Sequence, residues 1–259
     1  MELHKKLEDH KIGYLMGDEG LKEGRPTLVM VHGAGGRAQI WQNQVGLLDK
    51  RINALALDLP GHGNTAGNGR SHISEYAQWL VDILKKIFDY PVFLMGHSMG
   101  GAIVQDVAVT SPRCLAGIIL VGTGARLKVA PVFLESLMDN FEQTLEAVMG
   151  LAYAPETHRS LIEQGKEIMM NTGSNVVYND FLACDRFDSR QVLARIHLPC
   201  LVLCGDKAKL APLKLSEALK QGITGSTLKI IPDAGHMVMI ERYVETNDAV
   251  QDFVFRTVS

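Results

Sequence analysis

Little in this chain marks a metal protein, a secreted protein or a membrane protein. Four cysteines occur in 259 residues; Cys114, Cys184, Cys200 and Cys204 follow no metal-ligand spacing, and no metal or other cofactor is expected. Cys200 and Cys204 share one apolar strand pattern, which suits buried free thiols rather than a disulfide and makes the cytoplasm the expected location. Cys184 beside Asp185 has no histidine at short range and reads as structural. No apolar run reaches the ~20 residues a membrane span needs. The stretch from Met1 to Asp9 is charged and lacks the apolar core of a signal peptide. Lysine and arginine are scattered and the net charge is −3, so neither nucleic acid nor a membrane surface is expected as partner. Internal repeats and low-complexity tracts are also missing. What remains, 46% hydrophobic and 21% charged, is ordinary for a globular domain able to bury a large core.

Against that background one segment carries chemistry. Residues 91–101, PVFLMGHSMGG, run from an apolar strand through Gly-x-Ser-x-Gly into a helix expected over residues 102–110. A serine hydroxyl is a poor nucleophile unless it is held exposed beside a base, and a sharp strand-to-helix turn holds it so. Such a turn needs Gly96 and Gly100, because no side chain fits against it there. The helix that follows aims its first N–H groups at whatever Ser98 attacks.

The rest of the chain supplies a scaffold for that turn. Residues 27–32, 52–58, 92–96 and 115–122 read as buried strands, residues 11–19 as an antiparallel edge strand, and strands resume at 199–204 and 227–231. Tyr76, Leu80, Ile83, Leu84 and Ile87 fall at helical spacing within 74–88, with Ser74 placed as N-cap. A final helix is expected over 243–256. Alternating strands and helices predict an α/β fold: a mostly parallel central sheet with helices on both faces. Between residues 129 and 196 the strand pattern stops. Helical periodicities rich in Met and Leu take over for roughly a quarter of the chain, too long for a loop. Those methionines are core residues first, and Met138 and Met149 are candidates to line an adaptable pocket.

Three further segments fall at strand ends. His32-Gly-Ala-Gly-Gly36 follows the first buried strand, where the N–H groups of Ala34 and Met99 could together bind a developing oxyanion. Asp233-Ala-Gly-His-Met237 follows the last strand, from which His236 could reach Ser98 as general base. Asp58-Leu-Pro-Gly-His-Gly63 reads as a structural turn. His32, His62 and His97 are expected to satisfy backbone groups or face solvent, and no chemistry is assigned to them.

HGAGG with Trp41 downstream, DLPGHG, GHSMGG and AGHM, in that order, resemble the α/β-hydrolase superfamily, in its capped, esterase-like serine hydrolase branch. The resemblance covers nearly the whole length. It implies a hydrolase core at 1–124 and 197–259 and a helical cap at 125–196, inserted after the sixth strand. It also implies Ser98 as nucleophile, His236 as base and acid, and Ala34 and Met99 as the oxyanion hole. A serine nucleophile sets aside the dehalogenase and epoxide-hydrolase branches, which use aspartate.

One position departs from the pattern. The family's acid sits in Gly-x-x-Asp-x-x-x-Pro, and residues 205–212 read GDKAKLAP, which puts Ala208 at the acid position. Asp206 lies two residues early and is the first candidate to replace it. The alternative acid position, in Gly122-Thr-Gly-Ala125, has no carboxylate. Losing the acid alone costs on the order of 10⁴ in turnover, yet leaves measurable catalysis. The expectation is therefore an enzyme that cleaves a small or medium carboxylic ester through an acyl-enzyme on Ser98, possessing reduced activity if nothing replaces the acid. Thioesterase, lactonase, perhydrolase and C–C bond hydrolase chemistry fit the same machinery. A weakened member acting as a small-molecule binder or receptor, and an ordinary esterase carrying an engineered Asp-to-Ala change, are the rival readings. The natural substrate and the oligomeric state are not legible in these residues.

Overall fold

The computed structural model describes residues 2–17, 20–48 and 50–259. Its strands are β1 Tyr14–Met16, β2 Thr27–Val31, β3 Asn53–Leu57, β4 Val92–His97, β5 Leu115–Val121, β6 Cys200–Gly205 and β7 Thr227–Ile231. They form one sheet in the order β1-β3-β2-β4-β5-β6-β7. Only β1 is antiparallel, pairing Tyr14 with Leu57 on β3; the other neighbours are parallel. The helices are α1 Glu2–Asp9, α2 Gln42–Leu48, α3 Ile73–Ile87, α4 Met99–Thr110, α5 Pro131–Asp139, α6 Phe141–Ala152, α7 Arg159–Thr172, α8 Ser174–Arg186, α9 Leu213–Gly222, α10 Val238–Glu241 and α11 Tyr243–Val258.

Every residue of β2, β3, β4 and β6 is buried, as parallel strands covered on both faces require. The pleat sorts their side chains between two cores. Leu28 and Met30 of β2 join Val45 and Leu48 of α2 and Val250 and Val254 of α11, while Val29 and Val31 join Leu80 and Leu84 of α3 and Ile103 and Val107 of α4. A third apolar cluster, including Leu137, Leu145, Val148 and Val177, lies within the helices α5 to α8.

Several sequence-based expectations change here. The helical insertion follows the fifth strand of the described residues, not the sixth. The family-based count assumes one more strand, whereas the chain ahead of β1 forms α1, whose Leu3 and Leu7 sit one helical turn apart against the core. The edge strand expected over 11–19 shortens to β1: Lys11 turns at φ 52°, and the Gly13 N–H is taken by the Thr65 hydroxyl at 2.8 Å. Residues 18 and 19 of that expectation lie outside the described residues. Helix α3 starts at Ile73 with His72, not Ser74, at the cap position, because the buried Ile73 side chain draws its residue into the first turn. The helix after the Gly-x-Ser-x-Gly turn begins at Met99 rather than at residue 102.

The topology also places the site. From β2 the chain passes to β3 on one side and later to β4 on the other, so the loops after β2 and β4 part at their C-terminal ends. A crevice opens at such a switch point, where ligands bind in open parallel sheets. The two loops facing each other there are the glycine turn after β2 and the serine turn after β4.

Candidate active site

Ser98 has φ 53° and ψ −116°, a conformation costing on the order of 1–3 kcal/mol for a residue other than glycine. Its peptide is anchored on both sides: its N–H donates to Val121 O at 2.9 Å, and its carbonyl accepts from the Thr123 hydroxyl at 2.8 Å. Two glycines make the turn possible. A side chain at 96 would be driven into the Gly100 carbonyl, and one at 100 would come within 2.5 Å of Val31 O and 2.6 Å of His32 O. The glycine turn after β2 lies against the serine, since a β-carbon on Gly33 would stand 3.1 Å from that of Ser98. Met99 opens α4, so its N–H has no acceptor within the helix.

A cavity of about 670 Å³ is lined by Ala34, Ser98 and His236 together with the apolar Phe133, Met149 and Met169, a volume suited to a small organic molecule. Of the two candidate pocket methionines, Met149 lines it and Met138 does not. Leu137 takes the inward face of α5 at 0% exposure, which turns its neighbour Met138 outward to 50%.

The loop carrying His236 is held through its backbone. The N–H groups of Gly235 and Met237 donate to the Glu241 carboxylate at 3.1 Å, and that of His236 donates to Ala152 O at 2.8 Å. Glu241 also accepts from the Ala154 N–H and the Thr157 hydroxyl, which ties the loop to the helical insertion. The ring is treated differently. His236 Nδ1 is buried without a hydrogen-bond partner, against Gly122, whose added β-carbon would lie 3.2 Å from it. With no carboxylate beside the ring, burial alone pushes the imidazole pKa down to about 4.

Asp206 does not fill the gap. It is exposed, and its carboxylate accepts from the Ala234 N–H at 3.4 Å. The segment around Ala208 nonetheless packs against the His236 loop: Lys207 N–H donates to Ala234 O at 2.9 Å, and Ala208 is buried. Ser98, His236 and Ala34 are thus brought together on one cavity, while Asp206 is directed elsewhere.

Of His32, His62 and His97, two bond only backbone groups, as expected, and one does not. His32 accepts from Leu59 N–H at Nε2 (3.1 Å) and so donates from Nδ1 to Gly33 O at 2.8 Å; burial, then its neighbour His62, depress its pKa to about 3. His97 donates from Nε2 to His236 O at 3.1 Å, its pKa held well below the ordinary value by burial and by His236. His62 is the exception, meeting the carboxylate of Asp180 on α8 at 2.8 Å in a fully buried pair. Neither Asp180 nor Glu241 was singled out from sequence. For Asp180 a signal existed: Val177, Asp180 and Cys184 share one buried face of α8, and an aspartate on such a face requires partners. The Cys184 thiol is buried and its pKa is raised by that burial, as befits a structural residue. Among the described residues no group of three or more His, Cys, Asp or Glu side chains could hold a metal ion, and no helix is long and apolar enough to cross a membrane.

Residues 28–249 match the model of the alpha/beta hydrolase family. The chain is 28% identical over 247 residues to a pimeloyl-[acyl-carrier protein] methyl ester esterase of Serratia marcescens, covering 90% of this chain and 95% of that one. It is 26% identical over 245 residues to an (E)-2-((N-methylformamido)methylene)succinate hydrolase of Acinetobacter baylyi, covering 91% and 92%. Among solved structures, a thermophilic esterase superposes with a TM-score of 0.82 at 30% identity, covering 95% of this chain and 98% of that one. The enol-lactonase of Burkholderia xenovorans superposes at 0.87 with 22% identity, covering 94% and 96%.

Proposed function

The chain belongs to the alpha/beta hydrolase family, and from that premise we propose that it hydrolyses a small or medium carboxylic ester through an acyl-enzyme on Ser98. The observation that carries this reading is the strained, glycine-enclosed Ser98 turn, opening on the same cavity as His236 and Ala34. The esterases among its relatives support ester cleavage over other hydrolase chemistries.

In the proposed reaction His236 takes the Ser98 proton as Oγ attacks the ester carbonyl. The carbonyl oxygen becomes an oxyanion held by the N–H groups of Ala34 and Met99. Collapse breaks the bond to the alcohol oxygen, which leaves with the proton from His236. Water then attacks the acyl-enzyme by the same route in reverse, returning the acid product and free Ser98. The helices between β5 and β6 act as the cap, their apolar side chains shaping the acyl pocket. For His236 to accept at Nε2, its other nitrogen must carry the proton, and Nδ1–H has no acceptor. Neither the tautomer nor the buried imidazolium is then stabilised by a carboxylate, which supports slow turnover.

The test is reaction with a fluorophosphonate, together with p-nitrophenyl acetate and butyrate hydrolysis, in the parent and in Ser98→Ala. Covalent labelling and turnover in the parent, both absent in Ser98→Ala, are expected. A parent that binds acyl ligands yet neither labels nor turns over would replace this reading with a receptor, the alternative favoured by the unpartnered Nδ1.

A further inference from the structure

The acidic partner missing beside His236 has a counterpart on the opposite side of the cleft. Asp180 lies on α8, in the helical insertion, with its side chain fully buried. One carboxylate oxygen accepts from the Gly35 N–H at 2.8 Å and meets His62 Nε2 at 2.8 Å; the other accepts from the Tyr76 hydroxyl at 2.6 Å. His62 Nδ1 faces Pro60 O at 3.1 Å. Both ring nitrogens of His62 thus face acceptor groups, a setting that favours the protonated ring. The pKa of His62 agrees, being raised by Asp180 against the opposing effect of burial.

The unusual partner is Gly35. It belongs to the turn that carries Ala34, and its carbonyl is also held by the insertion, accepting from the Thr172 hydroxyl of α7 at 3.0 Å. Met169 and Val177 crowd its α-carbon so closely that an added β-carbon would come within 2.8 Å of the former and 3.1 Å of the latter. Gly35 is therefore gripped at its N–H, its C=O and its α-carbon by residues of the insertion alone. The turn closes on itself through Gly36 N–H to Gly33 O at 3.1 Å. A buried ion pair is weak evidence for stability, because apolar packing of equal volume does as well. Here, however, one acceptor is directed at a backbone N–H next to a proposed oxyanion donor.

We propose that Asp180 is a positioning residue for catalysis: with Thr172 it fixes the peptide of Gly35, so that the helical insertion sets where the Ala34 N–H points. The proposal rests on the reading of Ala34 as an oxyanion donor. Preorganised donors contribute because they need no rearrangement as charge develops, and a small misplacement is costly. Release of the grip should lower kcat and leave ground-state binding largely unchanged.

The test compares the full-length parent with Asp180→Asn, Thr172→Val and Tyr76→Phe. It measures kcat and KM on p-nitrophenyl butyrate, inhibition by a boronic acid whose serine adduct carries an oxyanion-like hydroxyl, and amide hydrogen exchange over residues 33–36. Expected for Asp180→Asn are a kcat lower by about tenfold or more, KM within about twofold, boronate affinity reduced in step with kcat, and faster exchange in the turn. Thr172→Val, which removes no charge and guards against a misfolded Asn variant, should show the same pattern more weakly. Tyr76→Phe retains the bond to Gly35 but removes a donor from the same carboxylate, so its kcat should fall less than that of Asp180→Asn. Unchanged kcat in both Asp180→Asn and Thr172→Val, or losses in all three variants that simply follow thermal stability, would overturn the proposal. If the parent has no Ser98-dependent turnover, it is the ester-hydrolase reading that fails. The exchange measurement then decides the remainder, since protection unaltered in Asp180→Asn would show that Asp180 does not hold the turn.

Discussion

His62 and His236 are both buried imidazoles in loops at the C-terminal edge of the sheet, and the fold treats them in opposite ways. His62 has an acceptor for each nitrogen and a carboxylate partner that also serves Tyr76 and Gly35. His236 is fixed through three consecutive backbone N–H groups, while its Nδ1 edge lies against Gly122 with nothing to bond. One site orients a ring through both nitrogens; the other places a ring without specifying its tautomer. Catalysis by a base histidine needs both kinds of control. On the proposed reading, the glycine turn that would hold the oxyanion is tied down by hydrogen bonds while the ring that would act as base is not.

The largest effect should come from restoring what the base side lacks. Ala208→Asp is expected to raise kcat on p-nitrophenyl esters by at least a hundredfold, out of the on-the-order-of-10⁴ that such an acid contributes. An unchanged kcat would mean that residue 208 does not address Nδ1, and that the contrast between the two histidines has no catalytic consequence. The same substitution should alter the pH profile. His236 must be neutral to accept a proton, and burial holds its pKa at about 4, so kcat/KM of the parent should persist below pH 6 and fall only near that value. A carboxylate at 208 stabilises the imidazolium, so in Ala208→Asp the acid limb should move upward by about a unit or more. An acid limb at the same pH in both proteins would rule this out.

Glu241→Gln tests the backbone side of the comparison. One of the oxygens that receive the Gly235, Met237, Ala154 and Thr157 donors becomes an NH2 group facing them, so a loss of about 1–3 kcal/mol in stability is expected from urea unfolding. The folded fraction should lose only a few-fold in kcat, because the ring was never oriented through this group. The smallest expected effect is an absence of coupling. If the two sides of the cleft act independently, the effects of Ala208→Asp and Asp180→Asn on kcat should multiply in the double variant to within about twofold.

Stability against pH separates the histidines again. His236 and His32 have folded pKa values of about 4 and about 3, below the ordinary 6.5, so the unfolded chain takes up their protons first as pH falls. Their contribution is complete above about pH 6.5 and is lost as pH falls toward those folded values. The pKa of His62 is raised, so its contribution is complete below the unfolded value and is lost as pH rises through the folded one. Urea unfolding across this range should show a shallower acid decline in His32→Gln, and a decline of unchanged steepness would contradict the burial argument.

The strands, the serine turn and the helical insertion were legible because they rest on local rules: apolar runs for buried strands, glycines where no β-carbon fits, and 3.6-residue spacing in the insertion. Helix α1 and the shortened β1 were not, since their fate depends on what the core leaves open to Leu7 and on the turn at Lys11. Ser98, His236, Ala34 and Met149 could be assigned to one cleft from their places at strand ends and on an inward helix face. Ala208 stands out only through the resemblance, as the residue at the position where the family pattern carries its acid. Where the carboxylates went could not be read that way. Asp206 turns to Ala234, Glu241 gathers the His236 loop, and Asp180 reaches across the cleft to His62, Tyr76 and Gly35. The sequence determined the sheet and the strained serine turn, and it put an alanine at 208, because these follow from residue type and local spacing. Only the tertiary structure decided which buried imidazole has a carboxylate, because a buried charge takes its partners from segments that folding brings together over more than a hundred residues of chain.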